Sequence, residues 1–163
     1  MIIRQATNVD LPIVFELLKE ASLPVAGLAE SYGHLYVLEA RGTVVGTVGY
    51  EAYPPNALLR SLVVAPAARG QGHGHQLLAF ILEQARRDGI RDAYGLTTTI
   101  PDLLFRLGFD EIRRSDAPAA LLASEEFRGA CPASARLFRV SVTPVLTPSQ
   151  KAIQRSRKKE VCT

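Results

Sequence analysis

The stretch of residues 58–74 constrains the fold of this chain more than any other, because a dense apolar run gives way there to a glycine-rich turn. The apolar, β-branched run predicts a buried strand, and Pro66 ends that strand near Val64 because proline cannot continue a β-ladder. Apolar residues at helical spacing follow in residues 77–85. The sequence therefore predicts a strand, a tight turn and a helix in direct succession.

The turn contains three glycines at a spacing of two, Gly70, Gly72 and Gly74. Glycine lets the backbone turn tightly and approach a ligand closely, and the first N–H groups of the following helix have no intrahelical partner. These donors and the positive end of the helix dipole suit a pyrophosphate, and Arg69 adds charge at the rim. The spacing fits neither the dinucleotide pattern Gly-x-Gly-x-x-Gly nor a P-loop. A turn that binds no ligand is the alternative.

Around this unit the sequence predicts a mixed α/β order. A short predicted strand begins at Ile2, and the other predicted strands cover residues 35–40, 44–53, 58–64, 91–98, 110–114 and 135–142. The predicted helices cover residues 11–21, 75–88, 100–107 and 118–127. Short turns make the strands at 35–64 an antiparallel meander. The helical crossover makes the strand at 91–98 parallel to that at 58–64.

The length of 163 residues is that of one domain, which can bury a sufficient core without further staples. Cys131 and Cys162 are too few and too far apart in sequence to indicate a disulfide framework or a zinc site, so a reducing cytoplasm is the expected compartment. There is no signal-peptide pattern and no apolar stretch of membrane-spanning length. We therefore expect a soluble cytoplasmic protein without a membrane partner.

The net charge of +3 is unevenly distributed along the chain. Residues 144–163 contain five basic residues and one acidic residue, so this segment carries +4 and residues 1–143 carry −1. The nearly neutral domain at 1–143 gives no indication of a nucleic-acid-binding face. The basic tail at 144–163 is expected to be a solvated, disordered extension, with an electrostatic partner as the alternative.

Arg69, Gly72 and Gly74 match the coenzyme A signature Arg/Gln-x-x-Gly-x-Gly/Ala, and the chain resembles the GNAT N-acetyltransferases on this motif and its strand–turn–helix context. The resemblance implies the GNAT fold, acetyl-CoA as cosubstrate, no metal, and a possible homodimer. The coenzyme-binding residues that it implies are Leu62, Val63, Val64, Arg69, Gly70, Gln71, Gly72, His73, Gly74, Thr97, Leu104 and Phe105.

Acetyl transfer to an amine requires a polarised thioester, a proton acceptor for the ammonium and a proton for the leaving thiolate. The family resemblance implies that the Val64 N–H polarises the thioester carbonyl. Leu104 occupies the position where many family members have a tyrosine, so Ser61, water or direct release of the thiolate must serve instead. Glu51 is a candidate proton acceptor, and an ordinary solvent-facing glutamate is the alternative reading of that residue.

Other segments resemble the amino-acid acetyltransferases, and more specifically the arsenic-resistance N-acetyltransferases, which are associated with acetylation of arsinothricin, a glutamate analogue. The segments are residues 49–53, 57–64, 97–99 and 124–135. An amino-acid acceptor carries a carboxylate, which Arg60 is suited to bind; a surface or inter-strand ion pair is the equal alternative for Arg60. Ser124 and Phe127 are expected to shape the acceptor pocket, although Phe127 alone is typical of a core.

Other functions and sites are less favoured by the sequence. The acceptor could instead be another small amine or a protein N-terminus, and the domain could be an acyl-CoA sensor without catalysis. His73 and His75 flank the turn, but no third metal ligand accompanies them. No histidine partner for Cys131 can be identified, so a structural thiol is expected there.

Overall fold

The computed structural model describes residues 1–29 and 32–143, which form a seven-stranded mixed sheet in the order β1-β2-β3-β4-β5-β7-β6. The strands are β1 (Ile2–Gln5), β2 (Leu35–Ala40), β3 (Thr43–Tyr53), β4 (Asn56–Val64), β5 (Asp92–Thr97), β6 (Asp110–Ile112) and β7 (Arg136–Ser141), and the helices are α1 (Leu11–Glu20), α2 (His73–Arg87), α3 (Pro101–Arg106) and α4 (Ala119–Leu122). None of the helices in these ranges combines the length and apolar character needed to cross a bilayer.

The predicted topology is confirmed at its centre. Strands β1 to β4 pair antiparallel in chain order, and β4 pairs parallel with β5 across α2. Helix α2 begins at His73, two residues before its predicted start. The tail at 144–163 lies outside the described residues.

The helix predicted over residues 118–127 is interrupted. Helix α4 ends at Leu122, and one wide helical turn then covers Glu126–Ala130. The Phe127 N–H donates a hydrogen bond to Ser124 Oγ at 3.4 Å. Serine side chains compete in this way with the helical ladder, which explains why the continuous pattern of the sequence becomes two short pieces.

The two long helices cover opposite faces of the sheet. Helix α2 buries four apolar residues in a cluster that includes Leu38, whereas α1 packs in a cluster that includes Val37. Adjacent residues of a strand point to opposite faces, so these clusters lie on either side of β2. The apolar face of α2 consists of Leu77, Leu78, Ile81 and Ala85.

Strand β4 contains a β-bulge. Its pairing with β3 passes from Arg60 opposite Gly49 to Val63 opposite Thr47, so Ser61 and Leu62 together face one residue of β3. Ser61 has a φ of 59°, in the left-handed region. On the other side, β4 pairs with β5 only as far as Leu59, and the two strands separate beyond it.

Candidate active site

A cavity of about 550 Å³ occupies the gap where β4 and β5 separate. It runs from the glycine turn before α2 to the far side of the sheet, where Arg60, Glu126 and Cys131 line it. The predicted coenzyme residues that line the cavity are Leu62, Val63, Val64, Arg69, Gly70, Gly72, His73, Gly74, Thr97 and Leu104, together with the predicted catalytic Ser61.

The other predicted site residues do not line this cavity; they are Glu51, Gln71, Phe105, Ser124 and Phe127. Gln71 is exposed. Phe105 is 48% exposed and its ring packs edge-on against Phe138 with the ring centroids 5.2 Å apart. Ser124 is buried beside Phe127, which packs against the cluster around Leu58 and Tyr94.

The glycine turn presents the N-terminus of α2 to the cavity. Gly72 precedes the helix with a φ of 81°, and no side chain among the described residues caps the helix there. The first helical hydrogen bond in this turn runs from Gln76 N–H to the Gly72 carbonyl at 3.1 Å, so the N–H groups before Gln76 point out of the helix. A Cβ built on Gly70 or Gly72 meets nothing within 4 Å. This cradle of backbone donors and open space fits a pyrophosphate.

The separated part of β4 fits the pantetheine arm of a coenzyme. Beyond Leu59, its backbone has no ladder partner on the β5 side, which leaves an open strand edge along the cavity. Arg69 folds back onto this edge, and its Nε donates to the Val64 carbonyl at 2.9 Å. Leu104 is 3% exposed and presents an aliphatic side chain to the cavity. No phenol is therefore available at that position.

Arg60 connects three parts of the chain at the other end of the cavity. Its guanidinium donates to the Glu51 carboxylate of β3, to the Ala26 carbonyl at 2.7 Å and to Ser61 Oγ at 3.3 Å. The Arg60 side chain is 2% exposed. Of the two readings left open by the sequence, the inter-strand ion pair is present; binding of a substrate carboxylate remains a prediction.

Glu51 is the carboxylate that holds Arg60. It also accepts a hydrogen bond from the Tyr53 hydroxyl at 2.5 Å, and burial is the main cause that raises the pKa of Tyr53, with this bond contributing. Glu51 is partly buried rather than solvent-facing. Its predicted role as proton acceptor for the ammonium stays a prediction.

Glu126 is a buried carboxyl that the sequence reasoning missed. It is 4% exposed, lines the cavity, and has Oε1 3.8 Å from Arg60 Nε. Burial raises the pKa of Glu126 to about 8, with Arg60 opposing and Glu51 adding to the rise. Two adjacent glutamates in a helical segment are typical of a solvated face. The sequence signal that could have identified Glu126 is the position of this pair between Ser124 and Phe127, both of which were expected to shape the acceptor pocket.

Cys131 is half-buried on the same side of the cavity, and burial raises the pKa of its thiol to about 11. The thiol is therefore protonated at neutral pH, a state that is a poor nucleophile. Within residues 1–29 and 32–143, no three histidine, cysteine, aspartate or glutamate side chains form a group that could hold a metal ion.

Comparisons with known proteins agree with this geometry. The solved N-acetylglutamate synthase of Neisseria gonorrhoeae, in complex with coenzyme A and N-acetylglutamate, superposes with a TM-score of 0.76 at 23% identity, covering 86% of this chain and 35% of the synthase. Rv2747 of Mycobacterium tuberculosis, solved with CoA, gives 0.75 at 21% identity and covers 86% of this chain and 99% of its own. At these identities the likeness establishes the fold.

Sequence comparison establishes the family. An amino-acid acetyltransferase of Aeromonas salmonicida (strain A449) is 31% identical over 84 residues, which are 50% of this chain and 19% of that protein. The chain thus spans about a fifth of this curated relative and about a third of the synthase. The sequence profile of the acetyltransferase (GNAT) family matches residues 5–109, the part that holds the β4 bulge, the glycine turn and α2. The chain belongs to the acetyltransferase (GNAT) family.

Proposed function

We propose that this protein transfers an acetyl group from acetyl-CoA directly to the α-amine of a small amino acid or amino-acid analogue. The observation that carries the proposal is one continuous cavity, with the uncapped N-terminus of α2 at one end and the buried Arg60, which is paired with Glu51 behind it, at the other. The first end suits a pyrophosphate. The second suits a charged acceptor that must be held and deprotonated.

In this proposal the backbone N–H groups of residues 72–74 and the Arg69 side chain hold the pyrophosphate. The open edge of β4 at residues 62–64 pairs with the pantetheine arm, and the Val64 N–H polarises the carbonyl of the bound group. Acetyl-CoA, when bound, supplies an acyl thioester. Thr97 and Leu104 close the opposite wall.

The acceptor that we propose is a glutamate-like compound, with arsinothricin as the specific candidate and detoxification as its purpose. The resemblance of residues 49–53, 57–64, 97–99 and 124–135 to the arsenic-resistance acetyltransferases supports this choice. Each of the two terminal nitrogens of Arg60 carries two N–H groups. Nη1 donates to the Glu51 carboxylate, and Nη2 donates to the Ala26 carbonyl. In this proposal the other N–H groups of Arg60 bind the substrate carboxylate, and Glu51 is retained as the first candidate acceptor for the ammonium proton.

The test is acetyl-CoA-dependent thiol release with arsinothricin, phosphinothricin, glutamate, methionine, an aminoglycoside and a peptide, each against an enzyme-free control. We expect turnover with the glutamate-like compounds alone, and the highest kcat/KM with arsinothricin. Highest turnover with the aminoglycoside or the peptide would transfer the proposal to another amine or to a protein N-terminus.

A second candidate function is that of an acyl-CoA sensor, and the observation that favours it is the aliphatic side chain of Leu104, which cannot protonate a thiolate. A sensor binds acetyl-CoA without turnover on any amine. Calorimetric binding that is tight, combined with no thiol release across the panel, would select this function.

A further inference from the structure

Glu126 is the buried one of the two carboxyl groups that line the cavity, since Glu20 is exposed, and its contact to a counter-charge is long. Its Oε1 lies 3.8 Å from Arg60 Nε, which exceeds hydrogen-bond distance, whereas Arg60 donates directly to Glu51. The side chain of Glu126 is 5% exposed and borders the cavity beside Ser61. A buried carboxylate without a directly bonded cation is costly unless it acquires a proton.

The cluster thus contains one guanidinium between two carboxyl groups. Glu51 is satisfied by Arg60 and by the Tyr53 hydroxyl. Glu126 remains open toward the cavity, on the side of the sheet where the acceptor of the proposed reaction would bind. An ammonium group entering there would meet in Glu126 a buried carboxyl that no guanidinium hydrogen bond engages.

We propose that Glu126 is the group that takes the proton from the acceptor's ammonium before the nitrogen attacks the thioester. This inference rests on the proposed function and assigns to Glu126 the role first considered for Glu51. The ammonium gives one proton to the Glu126 carboxylate and becomes a neutral amine. The nitrogen then forms a bond to the carbonyl carbon, and the carbon–sulfur bond breaks. The nitrogen loses its second proton, and the leaving thiolate takes up one proton to become the free thiol. Glu126 returns its proton to solvent.

The electrostatic surroundings match this role. Among the described residues, Glu51 and Tyr53 face Glu126 from β3, Arg60 faces it from β4, and Cys131 faces it from the segment that follows. Burial raises the pKa of Tyr53 and that of Cys131, so both remain protonated at neutral pH. A proton acceptor works best when its pKa lies near the working pH, and burial places that of Glu126 at about 8.

The experiment measures kcat/KM for phosphinothricin and for glutamate between pH 5.5 and 9.5 in the wild type, E126Q, E126D and E125Q. Glu125 is the matched control, because it is the exposed neighbour of the same residue type. We expect E126Q to lower kcat/KM by about 100-fold or more and to lose the wild-type rise near pH 8, leaving only the rise caused by the acceptor's amine. E126D should recover part of the rate together with the rise, and E125Q should match the wild type.

Acetyl-CoA affinity, measured by calorimetry, should be unchanged in all variants, which separates Glu126 from the coenzyme site. A kcat/KM within threefold of the wild type in E126Q, or a large loss with an unaltered pH profile in E126Q and E126D, would overturn the role. Absence of thiol release from the wild type would overturn the proposed function and this inference with it. Turnover by the wild type and E126Q alike would overturn the inference alone.

Discussion

Arg60 on β4 and Glu51 on β3 form their ion pair diagonally across the sheet, because Gly49 is the residue directly opposite Arg60 and Leu58 is directly opposite Glu51. The arginine side chain is 2% exposed and the glutamate side chain 14% exposed. Such a buried pair contributes little net stability when both members are present, but the loss of one member leaves an uncompensated buried charge.

Replacing Arg60 alone should therefore destabilise the fold strongly. We expect R60M to lower the free energy of unfolding by about 3–5 kcal/mol, and the double variant R60M/E51Q to recover part of that loss. Urea unfolding measures both. R139M is the matched control, because Arg139 pairs with Asp92 between strands with the arginine 47% exposed, and its loss should cost about 0–1 kcal/mol. Equal losses in R60M and R139M would contradict the argument.

Gly72 and Gly89 provide a test of the coenzyme site at matched backbone strain. Their φ angles are 81° and 83°, they lie at opposite ends of α2, and a Cβ on either meets nothing within 4 Å. G72A and G89A should each cost about 1 kcal/mol of stability. We expect G72A alone to weaken acetyl-CoA binding, by about tenfold or more, as measured by calorimetry. Unchanged affinity in G72A would argue against the proposed pyrophosphate cradle.

The buried carboxyl of Glu126 should make stability depend on pH. Its pKa of about 8 exceeds the ordinary value of 4.5, so between these values the folded protein holds a proton that the unfolded chain has lost. The free energy of unfolding should then fall as pH rises through this range, by an amount on the order of 5 kcal/mol. E126Q should be more stable than the wild type at pH 8. Below pH 4.5 the two proteins should have nearly the same free energy of unfolding. Parallel unfolding profiles of the two proteins would contradict the burial of an ionisable carboxyl.

Substitutions of Ser61 can separate the backbone strain at this residue from the catalytic contribution of its hydroxyl. Its φ of 59° costs a residue with a side chain about 1–2 kcal/mol, which glycine avoids. S61G should therefore be more stable than S61A, although both lose the hydroxyl that Arg60 contacts. If this hydroxyl protonates the thiolate, kcat should fall equally in the two variants despite their different stabilities. Wild-type kcat in both would mean that water or direct thiolate release serves instead.

The sequence pattern predicted the central strand–turn–helix unit and its parallel neighbour strand, because interactions between residues close in sequence determine these elements. The apolar run of β4, the glycine turn and the amphipathic α2 follow one another within residues 56–87, and the parallel pairing of β5 follows from a helical crossover. The helix predicted over 118–127 differs because a single serine side chain, Ser124, competes for a backbone N–H.

The acceptor side could not be predicted to the same extent, because its contacts join distant segments. Whether Arg60 is exposed or buried depends on Ala26, Glu51 and Glu126, which only the folded sheet brings together. Adjacent helix positions also diverge by about 100°. Leu104 therefore faces the cavity, while Phe105 is half-exposed and packs edge-on against the buried Phe138.

The β4 bulge also determines which genetic changes this strand can absorb. Before the bulge an odd-numbered residue, Leu59, packs toward α2, whereas after it the even-numbered Leu62 and Val64 do so and Val63 turns toward α1. Because the bulge places two residues of β4 opposite one residue of β3, removing one residue at 60–62 would restore a regular ladder without exchanging the two faces for the rest of the strand. A single-codon deletion inside the bulge would therefore leave Val63 and Val64 facing the same helices as before, whereas in a strand of regular pairing the same deletion would turn every following side chain to the other face.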